Sequence, residues 1–200
     1  MITIAREIYR MMLPSMHLNR PLRILITLSM VMNFVIGMFS PFYAIFVARI
    51  GGDVAFAGFS WAVLEVVCGV LTLLFVKWEL RVREQELLMV LGYMLRAVVF
   101  VSYVFMDSMT QLVLTQIVWG IAIAIGAPAF DAVYASHTSK ESSIAEWGGL
   151  EGMISIAIGL AALVGGLVIK EFGFTYIFAT MAFVCFLQGV YVLRLPREVL

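Results

Sequence analysis

Ionisable residues inside otherwise apolar stretches are the groups in this sequence that could do chemistry. Glu65 and Arg96 each lie near the middle of an apolar run, and Asp131 follows Pro128 late in another. A carboxylate in such a place can bind and release a proton, and a guanidinium can pair with an acid. Because an unpaired charge there is costly, we expect Glu65 and Arg96 to be partners. Two roles stay open: a fixed ion pair that locks two helices, or an acid that exchanges its partner or its proton.

Other polar and small residues recur at helical spacing and form stripes along three of the apolar runs. Asn33 and Ser40 belong to the first stripe, Gln116 and Asp131 to the second, and Glu151 begins the third. The glycines and alanines between them allow helices to approach closely. Asn33, Gln116 and Asp131 should turn away from lipid, because a polar group in hydrocarbon is costly. They could line a cavity or form hydrogen bonds between helices.

Composition places these residues in a membrane protein. Of the 200 residues 63% are hydrophobic and 13% charged, with a mean hydropathy of +1.04, whereas soluble domains are about half apolar and a quarter charged. The net charge of zero argues against a nucleic-acid partner. Cys68 and Cys185 fall in apolar runs, and no Cys or His stands at metal-ligand spacing. We therefore expect no metal site, no cofactor and no enzyme activity.

Six segments are long and apolar enough to cross a bilayer as helices, which takes about 20 residues each. They form one domain, residues 24–193, between an N-terminal segment (1–23) and a tail (194–200), both expected to be cytoplasmic. The predicted spans are Ile24–Val47, Val54–Val76, Leu87–Phe105, Leu112–Ala135, Trp147–Ile169 and Phe174–Leu193.

The distribution of basic residues predicts the orientation. With both termini inside, ten Lys and Arg residues are cytoplasmic and only Arg49 and Lys170 are outside, which is the bias of the positive-inside rule. We therefore expect a multi-pass protein of the cell (inner) membrane with both termini in the cytoplasm. The ten are Arg6, Arg10, Arg20, Arg23, Lys77, Arg81, Arg83, Lys140, Arg194 and Arg197.

The two halves of the chain carry related segments. "GMFSPFYA" (Gly37–Ala44) and "AIGAPAFDA" (Ala124–Ala132) both place a small residue before a proline late in a long span, on opposite sides of the membrane. Together with the six spans, this predicts a three-plus-three inverted repeat, as in many transporters. Pro128 is expected to loosen its end of the fourth helix.

These features resemble one half of a Major Facilitator Superfamily transporter, and the resemblance covers nearly the whole chain. In the fourth helix, Gly120 follows Gln116 by four, and a run of small residues leads to Pro-Ala, as in that family. The segment "GLAALVGGLVIKEFGFTYIF" is similar to the family's double glycine followed by Gly-aromatic. The loop "FVKWELRVRE" keeps an acid at Glu79 and a base at Arg83 but lacks the family's glycines. Five residues match the glycine-aromatic pattern: Gly165, Gly166, Gly173, Phe174 and Phe178.

The resemblance implies a role for each group of residues. The first and fourth helices would face the solute path with Asn33, Ser40, Gln116 and Asp131, and Glu65 or Asp131 would couple transport to protons. Glu79, Arg83 and Glu151 would belong to an inner gate.

The resemblance also implies a function and partners. A small solute would move by alternating access, with membrane lipid around the bundle. Because the family has six further helices, we expect a parallel homodimer or a separate second six-helix half. The alternative is a non-transporting membrane scaffold or a fragment of a longer transporter.

Overall fold

A computed structural model describes residues 19–79, 81–140, 143–196 and 199. Within these ranges the chain forms α-helices and one 3₁₀ turn, and no strand. Six segments, the first running from Arg20 to Arg49, are long and apolar enough to cross a membrane. The predicted all-α membrane fold is confirmed. The helices are α1 (Arg20–Gly37), α2 (Tyr43–Arg49), α3 (Val54–Glu79), α4 (Gln85–Val104), α5 (Met109–His137), α6 (Ser143–Phe172) and α7 (Phe174–Arg194), with the 3₁₀ turn at Ser40–Phe42 between α1 and α2.

The start of α1 is set by a local cap rather than by hydrophobicity. The side chain of Asn19 accepts a hydrogen bond from the backbone N–H of Leu22 at 2.9 Å, and Pro21 occupies the first turn, where its missing N–H costs nothing. The helix therefore begins at Arg20, four residues before the predicted Ile24. Of the predicted N-terminal segment 1–23, residues 1–18 lie outside the described part.

The two repeat prolines differ in their effect on the helix. α5 continues through Pro128, which has no backbone N–H to donate, so the loosening expected there stays a prediction. Pro41 instead lies in the 3₁₀ turn that separates α1 from α2. The backbone of Met38, just before this turn, lies so close to Gly165 of α6 that any side chain at position 165 would clash with it. The interruption of the first span thus depends on a glycine in the fifth.

The packing of the helices follows the inverted repeat. α3 packs on α5, and its counterpart α6 packs on α1. α4 packs on α5, and its counterpart α7 packs on α1, while α4 and α7 pack extensively on each other. Exchanging the first three spans with the last three therefore reproduces these main contacts, as a pseudo-two-fold repeat requires. The predicted three-plus-three architecture is confirmed.

Aromatic side chains fill one end of the bundle. Because the spans alternate in direction, Asn19 and Pro196 lie at the same end, which we call the termini-bearing end. At the opposite end, the ring of Phe178 lies 4.9 Å from the rings of Phe39, Phe46 and Tyr103. All four side chains are buried. Edge-to-face and tilted contacts of this kind add to the burial of apolar area, so this end is tightly packed.

Glycines allow α4 and α5 to touch along their backbones. A Cβ atom at Gly92 would lie 2.8 Å from the Cα of Gly126 and 3.1 Å from the carbonyl oxygen of Ala122. A Cβ atom at Gly120 would lie 2.8 Å from the carbonyl oxygen of Leu64, so α3 approaches α5 equally closely. Small residues at helix crossings are the usual means of bringing membrane helices together. These contacts hold α3, α4 and α5 as one unit.

α3 and α6 are buried far less than the other spans. In the most apolar stretch of each helix, 11% of residues are buried in α3 and 17% in α6, against 44–56% in the other four spans. Gly69 of α3 and Gly159 of α6 have nothing within 4 Å of an added Cβ atom. The two helices occupy equivalent places in the repeat. They present the broad uncovered faces of the bundle.

The glycine contacts predict the effect of two alanine substitutions. Gly92→Ala should destabilise the protein by about 1–3 kcal/mol, because the new methyl group meets helix backbone that cannot move aside. Gly69→Ala is the matched control: its methyl group meets open space, so stability should stay the same or rise slightly through helix propensity. The measurement is the apparent melting temperature of each purified variant in detergent. Equal melting temperatures for Gly92→Ala and Gly69→Ala would contradict the close packing of α4 on α5.

Candidate functional site

A mainly apolar cavity of about 290 Å³, with a few polar groups in its walls, lies between α1, α3, α4 and α5. It extends from about the middle of the bundle toward the termini-bearing end. Four predicted site residues line it, one from each helix: Asn33, Glu65, Arg96 and Asp131. The remaining walls are mostly apolar or aromatic and include Met32, Trp61, Met89, Tyr93, Trp119 and Phe130. Sequence reasoning missed the aromatic members, because a search for polar stripes passes over them.

Asn33 is fixed by its own helix. Its side-chain amide nitrogen donates to the carbonyl oxygen of Ser29 at 2.9 Å and reaches the Ser29 hydroxyl at 3.3 Å. Ser29 lines the same cavity. Asn33 therefore lies in the cavity wall, which is one of the two roles left open for it.

Glu65 and Arg96 share the cavity but do not form the expected direct pair. Within the described residues, no nitrogen of Arg96 lies within the 4.0 Å ion-pair distance of a Glu65 oxygen. The reason is the helix order: α3 and α4 follow each other in the chain, yet each packs on α5, which lies between them. Glu65 stands 14 residues from the end of α3 and Arg96 11 residues from the start of α4, so their depths differ by about one turn. Their exchange of partners or protons stays a prediction.

Asp131 lies where the cavity approaches the termini-bearing end, on an exposed part of α5. The carboxylate of Glu151 on α6 is close enough to interact with it electrostatically. Glu151 itself is exposed and does not line the cavity. The two acids thus bring like charges near each other toward the termini-bearing end of α5 and α6.

Gln116 lies outside the cavity, in a buried chain of hydrogen bonds. Its amide nitrogen donates to the Tyr43 hydroxyl at 2.7 Å, and its carbonyl oxygen accepts from the Tyr103 hydroxyl at 3.1 Å. The Tyr43 hydroxyl is also 2.7 Å from the Ser60 hydroxyl. The chain joins α2, α3, α4 and α5 in the half of the bundle away from the termini. Gln116 therefore forms hydrogen bonds between helices, which is the other of the two roles left open for it.

The other predicted residues lie away from the cavity. The hydroxyl of Ser40 donates to the carbonyl oxygen of Ile36 at 2.8 Å and so helps to terminate α1. Glu79 is buried as the last residue of α3, and Arg83 is exposed in the loop that follows. Within the described residues, no ion pair joins Glu79 to Arg83. Their role in a gate stays a prediction.

Fold and cavity together define the class of this protein. Six membrane-length helices in a three-plus-three inverted repeat, around a partly polar cavity beside the first and fourth spans, make a multi-pass integral membrane protein with a transporter-like fold. The chain matches the Major Facilitator Superfamily over residues 25–199 and belongs to that family. No curated protein matches the chain closely enough to count as a relative.

Proposed function

We propose that this protein is a secondary transporter that moves a small solute by alternating access, with the cavity as its part of the solute path. The observation that carries the proposal is the meeting of Asn33, Glu65, Arg96 and Asp131 in one cavity of an otherwise apolar bundle. Ionisable groups inside a membrane span are costly and are typically retained for substrate or ion pathways. Membership of the Major Facilitator Superfamily supports the same function.

The proposed orientation puts the termini-bearing end in the cytoplasm of a cell whose inner membrane holds the protein. Of the basic residues in the described ranges, seven fall at that end and two at the other, in line with the positive-inside rule. The cavity would then approach the cytoplasm, and the aromatic cluster around Phe178 would face outward.

Glu65 is the proposed coupling residue. It stands 14 residues from the end of α3, about 21 Å along the helix and near the middle of the membrane. Asp131 is six residues from the end of α5, about 9 Å along the helix and much nearer to water. A carboxylate at mid-membrane gains more from carrying a proton when it loses contact with water, because the ionised form is costly there.

The uncovered faces of α3 and α6 support a second six-helix unit beside this one. They are the least buried spans, and each exposes a glycine with open space around it. Glu65 is also exposed on α3, where a second unit would close the cavity. We propose a second copy, arranged in parallel about a two-fold axis along the membrane normal, with α3 of one copy against α6 of the other.

Transport and coupling are tested together in vesicles. Wild-type protein in liposomes should take up at least one solute from a mixture of small metabolites when a pH gradient is imposed, as measured by mass spectrometry of the vesicle contents. Glu65→Gln should still move that solute down its own gradient but lose the response to pH, because the amide binds no proton in this range. Glu171→Gln is the matched control, since Glu171 is exposed and paired with Lys170 at 3.8 Å.

Two results would count against these proposals. Uptake no greater than in protein-free vesicles for every solute would contradict transport by the protein. An active Glu65→Gln variant with the pH response of wild type would remove Glu65 from the coupling.

The dimer is tested by disulfide cross-linking in membranes. In a background with Cys68 and Cys185 replaced by alanine, Val66→Cys with Gly159→Cys should give a covalent dimer. The two positions lie at similar depth on α3 and α6, Val66 is 63% exposed, and Gly159 has open space. Phe183→Cys on α7, 61% exposed on a helix that packs on α4, is the control and should stay monomeric. A monomer in both cases would contradict the homodimer.

A further inference from the structure

Arg96 is a basic residue in the middle of a membrane span, and it has no direct ion-pair partner among the residues that the structure describes. It stands in the middle of α4 and lines the cavity. Its Nε atom is buried and has no hydrogen-bond partner, and within the described residues it takes part in no ion pair. Charged groups within a membrane normally pair with an opposite charge or with backbone carbonyls. The Nε atom of Arg96 therefore lacks the acceptor that a buried guanidinium normally has.

Among the described residues, the groups that act electrostatically on Arg96 are phenol and thiol side chains. Its electrostatic neighbours are Tyr93, Cys185 and Cys68. Glu65 and Asp131 line the same cavity, but neither lies within ion-pair distance of Arg96 in the described structure. The two acids of the cavity thus lie beyond ion-pair distance from the Arg96 guanidinium.

A second donor on the same cavity also lacks an acceptor. Trp119 is only 3% exposed, and its indole Nε1 has no hydrogen-bond partner. Its ring lies 5.2 Å from Phe100 and 6.4 Å from Trp61, so aromatic contacts hold it in place. Both unpartnered nitrogens can only donate hydrogen bonds. What these two donors lack is an acceptor, and beside an arginine the strongest acceptor is an anionic oxygen.

We propose that the cavity binds a small organic monocarboxylate with an apolar or aromatic body, the carboxylate on Arg96 and the body against Trp61, Trp119 and Phe130. Planar guanidinium matches carboxylate with two parallel hydrogen bonds. A monoanion is favoured over a phosphate dianion, because Glu65 and Asp131 already add negative charge to the same cavity. The volume of about 290 Å³ suits a compound smaller than a typical drug. The proposal rests on the proposed function only in taking this ligand to be the transported solute.

Binding can be measured without transport, using three compounds with the same body. Phenylacetate carries the carboxylate, phenylacetamide is its neutral analogue, and phenethylamine carries a positive charge. Each is titrated into purified full-length protein, and both the melting temperature and the tryptophan fluorescence are followed, because Trp61 and Trp119 line the cavity. Phenylacetate should stabilise the wild type and change its fluorescence at lower concentration than the other two. Equal or stronger binding of phenylacetamide or phenethylamine, or no response to phenylacetate, would overturn the proposal.

Variants at Arg96 test whether this residue causes the preference for the carboxylate over the neutral analogue. Arg96→Gln should weaken phenylacetate binding about tenfold or more, as expected for the loss of a charge-assisted hydrogen bond, and should abolish the preference over phenylacetamide. Arg49→Gln removes an exposed arginine far from the cavity and should bind as wild type. If Arg96→Gln does not fold, Arg96→Lys serves: it keeps the charge and should prefer the carboxylate at reduced affinity. An unchanged affinity in either Arg96 variant would overturn the proposal.

The same compound separates this inference from the proposed function. Counterflow of labelled phenylacetate into vesicles loaded with unlabelled phenylacetate reports transport alone. Specific binding without counterflow would leave the site standing and count against transport. Transport of other solutes without carboxylate-selective binding would leave the function standing and overturn the site.

Discussion

The close approach of helix backbones at glycines is the constraint on which the rest of this structure depends. Gly126 touches Gly92 across the α4–α5 crossing and also lines the cavity. One turn after Gly92, on the same face of α4, stands Arg96. Gly120 allows α3 to approach at Leu64, and the next residue is Glu65. The crossings therefore set the positions of both charges, and a methyl group at either would shift the walls of the cavity.

The two ends of the bundle are built from different interactions. Away from the termini, the rings around Phe178 and the hydrogen bonds through Gln116 tie α2, α3, α4 and α5 together, and both are buried. Toward the termini, the space between the same spans holds the cavity, with Asp131 near its mouth. A polar chain that satisfies its own members stabilises without needing a ligand. The unsatisfied donors belong instead to Arg96 and Trp119, two residues that line the cavity.

The sequence predicts the spans, the repeat and the residues of most interest, because these depend on local apolarity and on spacing. It cannot predict which helices are neighbours in space. Glu65 and Arg96 were expected to pair because their helices follow each other, but α5 lies between them. The role of Gln116 depends on Tyr43, Ser60 and Tyr103 from other helices, and no spacing rule connects such distant residues.

Alternating access to the cavity is the central claim, and labelling of a single cysteine tests it most directly. Ala127 lines the cavity on α5 and is half-buried, so Ala127→Cys, in a background with Cys68 and Cys185 replaced by alanine, places a thiol in the proposed path. A membrane-impermeant maleimide is added to oriented vesicles from one side or the other. The account predicts labelling from both sides, at rates that a bound solute shifts in opposite directions. Labelling from one side only, with or without solute, would contradict it.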